Sequence, residues 1–202
     1  MKGINFLAFT LLFSTVVQTE PLVKEGDRVW MIGDSNACLL MYELPRIARR
    51  NGVVFGGNPV AGSSIIQWDL ELREQYRELR RFSPDVVLVA LGSNDAYFKS
   101  HVIANEPPYL NRLLSRLRRK QTKVVWIGPP KLEYAKEGLL KIYNMLIPEA
   151  IVLDSRQIDI EMWNDKLHPS EAGRASWARW IWRKLTATPD FDKDMIPAQD
   201  GC

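Results

Sequence analysis

Val29-Trp30-Met31-Ile32-Gly33-Asp34-Ser35 carries an apolar strand straight into a Gly-Asp-Ser turn. The strand covers residues 28–32, and the helix after it covers 35–50, with Pro45 bending it or breaking it in two. The same alternation repeats downstream. Residues 53–60 form a weaker, glycine-interrupted strand, and 65–82 an amphipathic helix with Ile65, Trp68, Leu72, Tyr76 and Leu79 at three- and four-residue steps. Ser83-Pro84-Asp85 ends that helix, and the apolar run 86–91 is a strand buried on both faces. A helix over 109–121 follows, then a strand over 124–127 stopped by Gly128-Pro129-Pro130, a helix over 138–146 and a short strand over 151–153. Ser170 caps a last helix whose inward stripe is Ala178, Ile181, Trp182 and Leu185. Such alternation predicts an α/β fold of three layers, a central parallel sheet of about five strands with helices on both faces.

In sheets of this kind ligands sit beyond the carboxyl ends of the strands, and four short blocks obey that rule. Ser35, Gly62 and Asn94 each follow a strand-like segment, and Asp165-Lys166-Leu167-His168 follows the last strand by a loop. A serine hydroxyl is a poor nucleophile until a base takes its proton. An imidazole, which titrates near neutrality, suits that task, so His168 is the candidate base for Ser35. Asp165, three residues earlier, can accept the Nδ1 proton and hold Nε2 toward the serine. The tetrahedral intermediate of acyl transfer needs donors aimed at its negative oxygen. The Ser35 amide at a helix start, the Gly62 amide and the Asn94 side chain can supply them. Asp34 is expected to tie the nucleophile turn to backbone amides, and Asp95 to fix a loop that presents Asn94.

Each residue also fits an ordinary role. Ser35 can cap a helix, Gly62 can fill a turn, Asn94 can sit in a loop, and His168 can simply precede the Ser170 cap. Their joint order and their shared position at strand ends favour the chemical reading. His101, in an irregular segment without a matching acid, is read as a loop residue.

The four blocks resemble those of the SGNH/GDSL hydrolases over about residues 28–186. Gly33-Asp34-Ser35 is similar to that family's nucleophile block, Gly62 to its single-glycine block, Gly92-Ser93-Asn94-Asp95 to its Gly-x-Asn-Asp block and Asp165-Lys166-Leu167-His168 to its Asp-x-x-His block. The resemblance implies a flavodoxin-like fold and a serine esterase with Ser35, His168 and Asp165 as its triad. It also implies Ser35, Gly62 and Asn94 as its oxyanion hole, and no metal. Asn36 stands where the namesake pattern has leucine, and is read as a substrate contact.

Composition bounds the rest. At 202 residues and 46% hydrophobic content the chain holds one domain with a sizeable core. Residues 1–19, basic at Lys2 and then apolar, fit a secretory signal and are too short for a membrane span. Residues 20–188 are then the hydrolase domain and 189–202 a polar tail, and the protein is expected to be exported, periplasmic or secreted. Cys38 and Cys202 are the only cysteines, and no Cys/His cluster has metal-ligand spacing, so no metal or other cofactor is expected. The basic run 112–120 is read as a solvated helix face, with binding of an anionic polymer as the lesser alternative. No nucleic-acid-binding motif accompanies it.

Aromatic residues near the blocks, Tyr97, Phe98 and Trp163, with Trp68, Tyr134 and several charges, suit a sugar better than a long acyl chain. They also suit simple packing of loop on core. The expected substrate is therefore a small acyl ester, acetyl first, on an envelope or other polysaccharide. Two alternatives stand beside it: a lysophospholipase or thioesterase acting on longer chains, and a carbohydrate-binding or virion component without turnover.

Overall fold

A computed structural model describes residues 21–97, 107–118, 121–147 and 150–186. Its strands are β1 (Arg28–Gly33), β2 (Val54–Gly57), β3 (Val86–Ala90), β4 (Lys123–Ile127) and β5 (Ile151–Leu153). They form one parallel sheet in the order β2-β1-β3-β4-β5, the flavodoxin-like arrangement. Parallel neighbours need long crossovers, and helices make them. Helices α1 (Ser35–Leu40) and α2 (Leu44–Arg50) join β1 to β2, and α3 (Ile65–Leu70) and α4 (Arg73–Phe82) join β2 to β3. Helices α5 (Ser93–Tyr97) and α6 (Pro107–Leu117) lie between β3 and β4, α7 (Lys136–Leu146) lies between β4 and β5, and α8 (Glu171–Thr186) closes the fold.

The strands are near-continuous apolar runs because both faces are covered. Trp30, Ile32, Val87, Val89, Val124 and Trp126 pack with residues of α3, α4, α6 and α7. Their alternating neighbours Val29, Met31, Val86, Leu88, Val125 and Ile127 pack with α1, α2 and α8. Trp126 and Trp177 are fully buried, and each indole finds an acceptor, the Leu91 carbonyl at 3.0 Å and Ser155 Oγ at 3.0 Å.

The segment 35–50 is broken in two, one of the two outcomes expected of Pro45: the chain turns through residues 41–43 and Pro45 sits in the first turn of α2, where its missing N–H costs nothing. Three other expectations change in detail. The helix expected over 65–82 also breaks, after Leu70. In a continuous helix the Asp69 carbonyl would accept from the Arg73 amide; instead it accepts from the Arg116 guanidinium, and the Arg73 amide turns to the Glu71 carbonyl at 2.9 Å. Strand β2 stops at Gly57, well short of residue 60. Ser93 to Tyr97, expected as a loop, is a helical turn.

The order of strands positions the site. The chain crosses from β1 to β2 on one side and returns to β3 on the other, so the carboxyl ends of β1 and β3 part at a switch point. Gly33 and Ala90 are register partners there. The expected signal segment 1–19, the tail 189–202, Phe98 and His101 lie outside the described residues. No helix among the described residues is long and apolar enough to cross a membrane.

Candidate active site

β1 ends at Gly33, whose φ of +154° and lack of a side chain let the strand close on β3. A Cβ there would meet the Ala90 carbonyl oxygen at 2.2 Å. Asp34 then stops the strand and starts α1. Its amide donates to the Ala90 carbonyl at 3.0 Å, and its Oδ1 accepts from the Asn36 amide at 2.9 Å as the helix N-cap. Ser35 is thereby the first helical residue, half-buried, with an amide that has no partner inside the helix.

The partner of that hydroxyl comes from the far end of the chain. Ser35 Oγ lies 2.8 Å from His168 Nε2, across 133 residues of sequence. His168 Nδ1 lies 2.8 Å from Asp165 Oδ2. The other carboxylate oxygen of Asp165 accepts from the amides of Leu167 at 2.9 Å and His168 at 3.0 Å. Desolvation pushes the Asp165 carboxyl up, but the His168 amide and ring and the Leu167 amide outweigh it and hold the group at about 2. A carboxylate ionised at any working pH can keep the ring's Nδ1–H and so leave Nε2 free to accept from the serine. The turn that carries both residues is closed by Trp163 N–H to the His168 carbonyl at 2.8 Å and by Lys166 N–H to the Trp163 carbonyl at 3.0 Å. Lys166 at its tip adopts φ +55°.

The other two expected donors follow β2 and β3. Gly62, exposed, adopts φ +75°, and nothing lies within 4 Å of where its Cβ would be, so glycine serves the backbone conformation there, not the space. Asn94 is buried in α5, and its Nδ2 donates to the Ser63 carbonyl at 3.0 Å. An amide nitrogen carries two hydrogens, so one anchors the Gly62 loop and the other is available to a ligand. Asp95 Oδ1 accepts from the Ile65 amide at 3.0 Å, which fastens the start of α3 to α5.

Asn36 does not face a substrate. It is 2% exposed, and its Nδ2 donates to Ser93 Oγ at 2.9 Å, binding α1 to α5 beneath the serine. One position past Ser35 on the helix, its side chain is turned well away from the Ser35 hydroxyl. Tyr97 is 54% exposed at the end of α5, and Trp163 is 43% exposed in the turn that carries His168. Trp68, by contrast, is core, its indole donating to Ser63 Oγ at 2.9 Å. Ser63 and Ser93 are thus supporting residues of the site that the sequence reading did not single out. Ser93 sits inside a quoted block and Ser63 directly follows Gly62, but only the fold brings their hydroxyls to Asn36 and Trp68. Among the described residues no group of three or more His, Cys, Asp or Glu side chains could hold a metal, and Cys38 is a free thiol.

Asp34 is the unusual member of the cluster. It is wholly buried, and Oδ2 has no hydrogen-bond partner. Burial, with the charge of Asp95 adding to it, pushes the carboxyl up to about 7 against the lowering effect of the Asn36, Ala37 and Ser93 amides.

The GDSL-like lipase/acylhydrolase family model matches residues 33–175, a span that holds every residue of the cluster. A search of curated proteins finds no match. Among solved structures the chain is similar to a lipase/acylhydrolase from Enterococcus faecalis at 18% identity and a TM-score of 0.64, covering 80% of this chain and 96% of that one. It is similar to a catalytic mutant of an acetylxylan esterase from Geobacillus stearothermophilus at 14% identity and a TM-score of 0.60, covering 81% and 95%. A second acetyl xylan esterase aligns at 16% identity and a TM-score of 0.59, covering 77% and 98%. At these identities the likeness is one of fold.

Proposed function

Because this chain belongs to the GDSL-like lipase/acylhydrolase family and is a hydrolase of carboxylic esters, we propose that Ser35, His168 and Asp165 are its triad. We propose further that its substrate is a small acyl ester, acetyl first, on a polysaccharide. The observation that carries this reading is the unbroken relay from Asp165 through His168 to Ser35, with 2.8 Å at each step.

Chemically, His168 Nε2 takes the Ser35 proton as Oγ bonds to the acyl carbon, and the carbonyl π electrons move onto oxygen. The Ser35 and Gly62 amides and the second Asn94 Nδ2 hydrogen are the donors for that oxyanion. The imidazolium then gives its proton to the departing sugar oxygen as the ester bond breaks, leaving acyl-Ser35. Water repeats the sequence on the acyl-enzyme, with His168 again the base, and releases the carboxylic acid and free serine.

Openness supports a bulky alcohol partner and a small acyl group. The side chains of His168 and Asp165 are 25% and 45% exposed, so the relay lies at a rim. Trp163 and Tyr97 expose aromatic surface beside it, the kind of face that packs on a sugar ring. The fold likeness to acetylxylan esterases favours the same substrate class. Export, with residues 1–19 as a cleaved signal, fits a polymer met outside the cell; N-terminal sequencing of secreted protein checks it, and a chain still starting at Met1 would reject it.

Rates on nitrophenyl acetate and nitrophenyl octanoate, beside acetate released from acetylated xylan, test the substrate. Faster acetate hydrolysis with release from the polymer is expected. Clear preference for octanoate would assign the scaffold to longer acyl chains, and absence of turnover on every ester would leave a binding protein.

A further inference from the structure

Away from the nucleophile, α4 and α6 enclose an elongated groove. One concavity of about 460 Å³ is lined by Arg73, Tyr76, Leu79, Arg80 and Arg116 among others. A second of about 630 Å³ shares Leu79 and Arg80 with it and continues past Pro84 and the exposed Asp85 to Thr122. Three guanidiniums face this space. Arg116 is held by Asp69, whose side chain is fully buried, through a 2.6 Å ion pair and through the Asp69 carbonyl. Asp69 also binds Arg112 at 2.7 Å, so one carboxylate serves two cations and a positive charge is left over. Arg73 and Arg80 are exposed and have no ion pair among the described residues.

The α6 segment adds charge of the same sign: residues 107–118 carry Arg112, Arg116 and Arg118 and no acid. Arg73 and Arg80 stand seven residues apart on one face of α4, about 10 Å along its axis. That spacing is about the length of a disaccharide. The floor between them is apolar, made by Tyr76 and Leu79, with Tyr76 OH donating to the Trp68 carbonyl at 2.8 Å.

We propose that the α4–α6 groove binds an acidic polysaccharide, its carboxylates paired with Arg73 and Arg80. Guanidiniums suit this role because their planar fork matches a carboxylate. A nucleic acid fits less well. It needs closely spaced cations along its phosphates and exposed aromatic rings on which bases stack, whereas Tyr76 is 7% exposed and its hydroxyl is engaged. A flat anionic bilayer cannot reach the floor of a cleft between two helices. The groove deepens the esterase reading on which it rests, since a polymer held there is one whose acetyl groups Ser35 removes, but binding itself needs no turnover.

The test uses unacetylated polygalacturonate, which offers carboxylates and no ester. Affinity electrophoresis of the purified protein through gels containing it is expected to show retardation that falls with added salt, with none in dextran gels. Replacing both arginines (Arg73→Ala with Arg80→Ala) is expected to weaken binding about tenfold, the loss of two exposed charge pairs, while hydrolysis of nitrophenyl acetate stays unchanged. Ser35→Ala is expected to bind as the parent does. Absence of retardation by polygalacturonate, or retardation untouched by the double replacement, would overturn the groove. So would tighter binding of single-stranded DNA or of anionic phospholipid vesicles through the same two arginines. Failure of ester hydrolysis with arginine-dependent retardation intact would remove the esterase reading and leave the groove standing.

Discussion

The two halves of the candidate site are built in opposite ways. On the nucleophile side Asp34, Asn36, Ser93 and Asp95 are all buried, and their bonds cross between elements: Asn36 to Ser93, Asp95 to Ile65, Asn94 to Ser63. On the base side Asp165 and His168 are partly exposed and are held by bonds within one short turn, to the Leu167, His168 and Trp163 backbone. A donor array needs a fixed position relative to the sheet, and only deep cross-element packing provides it. A general base must rotate a proton between two oxygens, and a locally closed turn on the rim is sufficient for that. The two sides should therefore answer substitution differently, the buried one in both stability and rate, the exposed one in rate alone.

The largest effect should come from the exposed side. His168→Ala is expected to lower kcat by about 10⁴-fold or more, with a melting temperature within a degree or two of the parent. Stopped-flow hydrolysis of an activated acetyl ester and calorimetry together measure both. A large drop in melting temperature would erase the contrast.

Next is the buried side. Asn94→Ala removes a proposed oxyanion donor and leaves the Ser63 carbonyl without a side-chain partner, so kcat should fall about 10²- to 10³-fold and stability by about 1–2 kcal/mol. Loss of rate without loss of stability, in urea unfolding read at one pH, would argue that the Asn94–Ser63 bond does not hold the Gly62 loop.

Asp34 sharpens the comparison through pH. Its carboxyl is raised from 3.8 to about 7 in the folded protein. Between those values the folded chain binds one more proton than the unfolded chain, so this group makes stability fall as pH rises. The slope is on the order of 1.4 kcal/mol per pH unit, and the effect is complete above about 7. Asp34→Asn mimics the protonated acid and should flatten stability across that window, a change visible in denaturant midpoints from pH 4 to 8. An unchanged slope would mean that Asp34 stays ionised in the fold.

The smallest effect belongs to Lys166. Its φ of +55° costs a residue with a side chain about 1 kcal/mol, partly offset in a glycine variant by the freer unfolded chain. Lys166→Gly should raise stability by a few tenths of a kcal/mol and leave kcat intact, while Lys166→Val should lower stability. A kcat loss in the glycine variant would show that tension in this turn helps aim His168.

Legibility in the sequence follows the same division. Everything local could be read: the apolar runs that became β1, β3 and β4, the Gly33-Asp34-Ser35 junction, the Asp165 to His168 spacing and the Ser170 cap, whose Oγ accepts from the Gly173 amide at 3.0 Å. What depends on a distant partner could not. The break between α3 and α4 arises because Arg116, far along the chain, takes the Asp69 carbonyl. Asn36, standing where the namesake pattern has leucine, reads as a substrate contact, yet Ser93 draws it inward. The Gly92-Ser93-Asn94-Asp95 block carries turn-forming residues and so resembled a loop, but its side chains bind neighbouring elements and leave the backbone free to coil as α5.

Labelling with a fluorophosphonate tests the central claim most directly, because the reagent traps only a serine whose proton an adjacent base can take. Peptide mass mapping of the labelled protein should find a single modified residue, Ser35, and His168→Ala should abolish the label while the fold persists. A label on another serine, or undiminished labelling of the His168 variant, would contradict the relay.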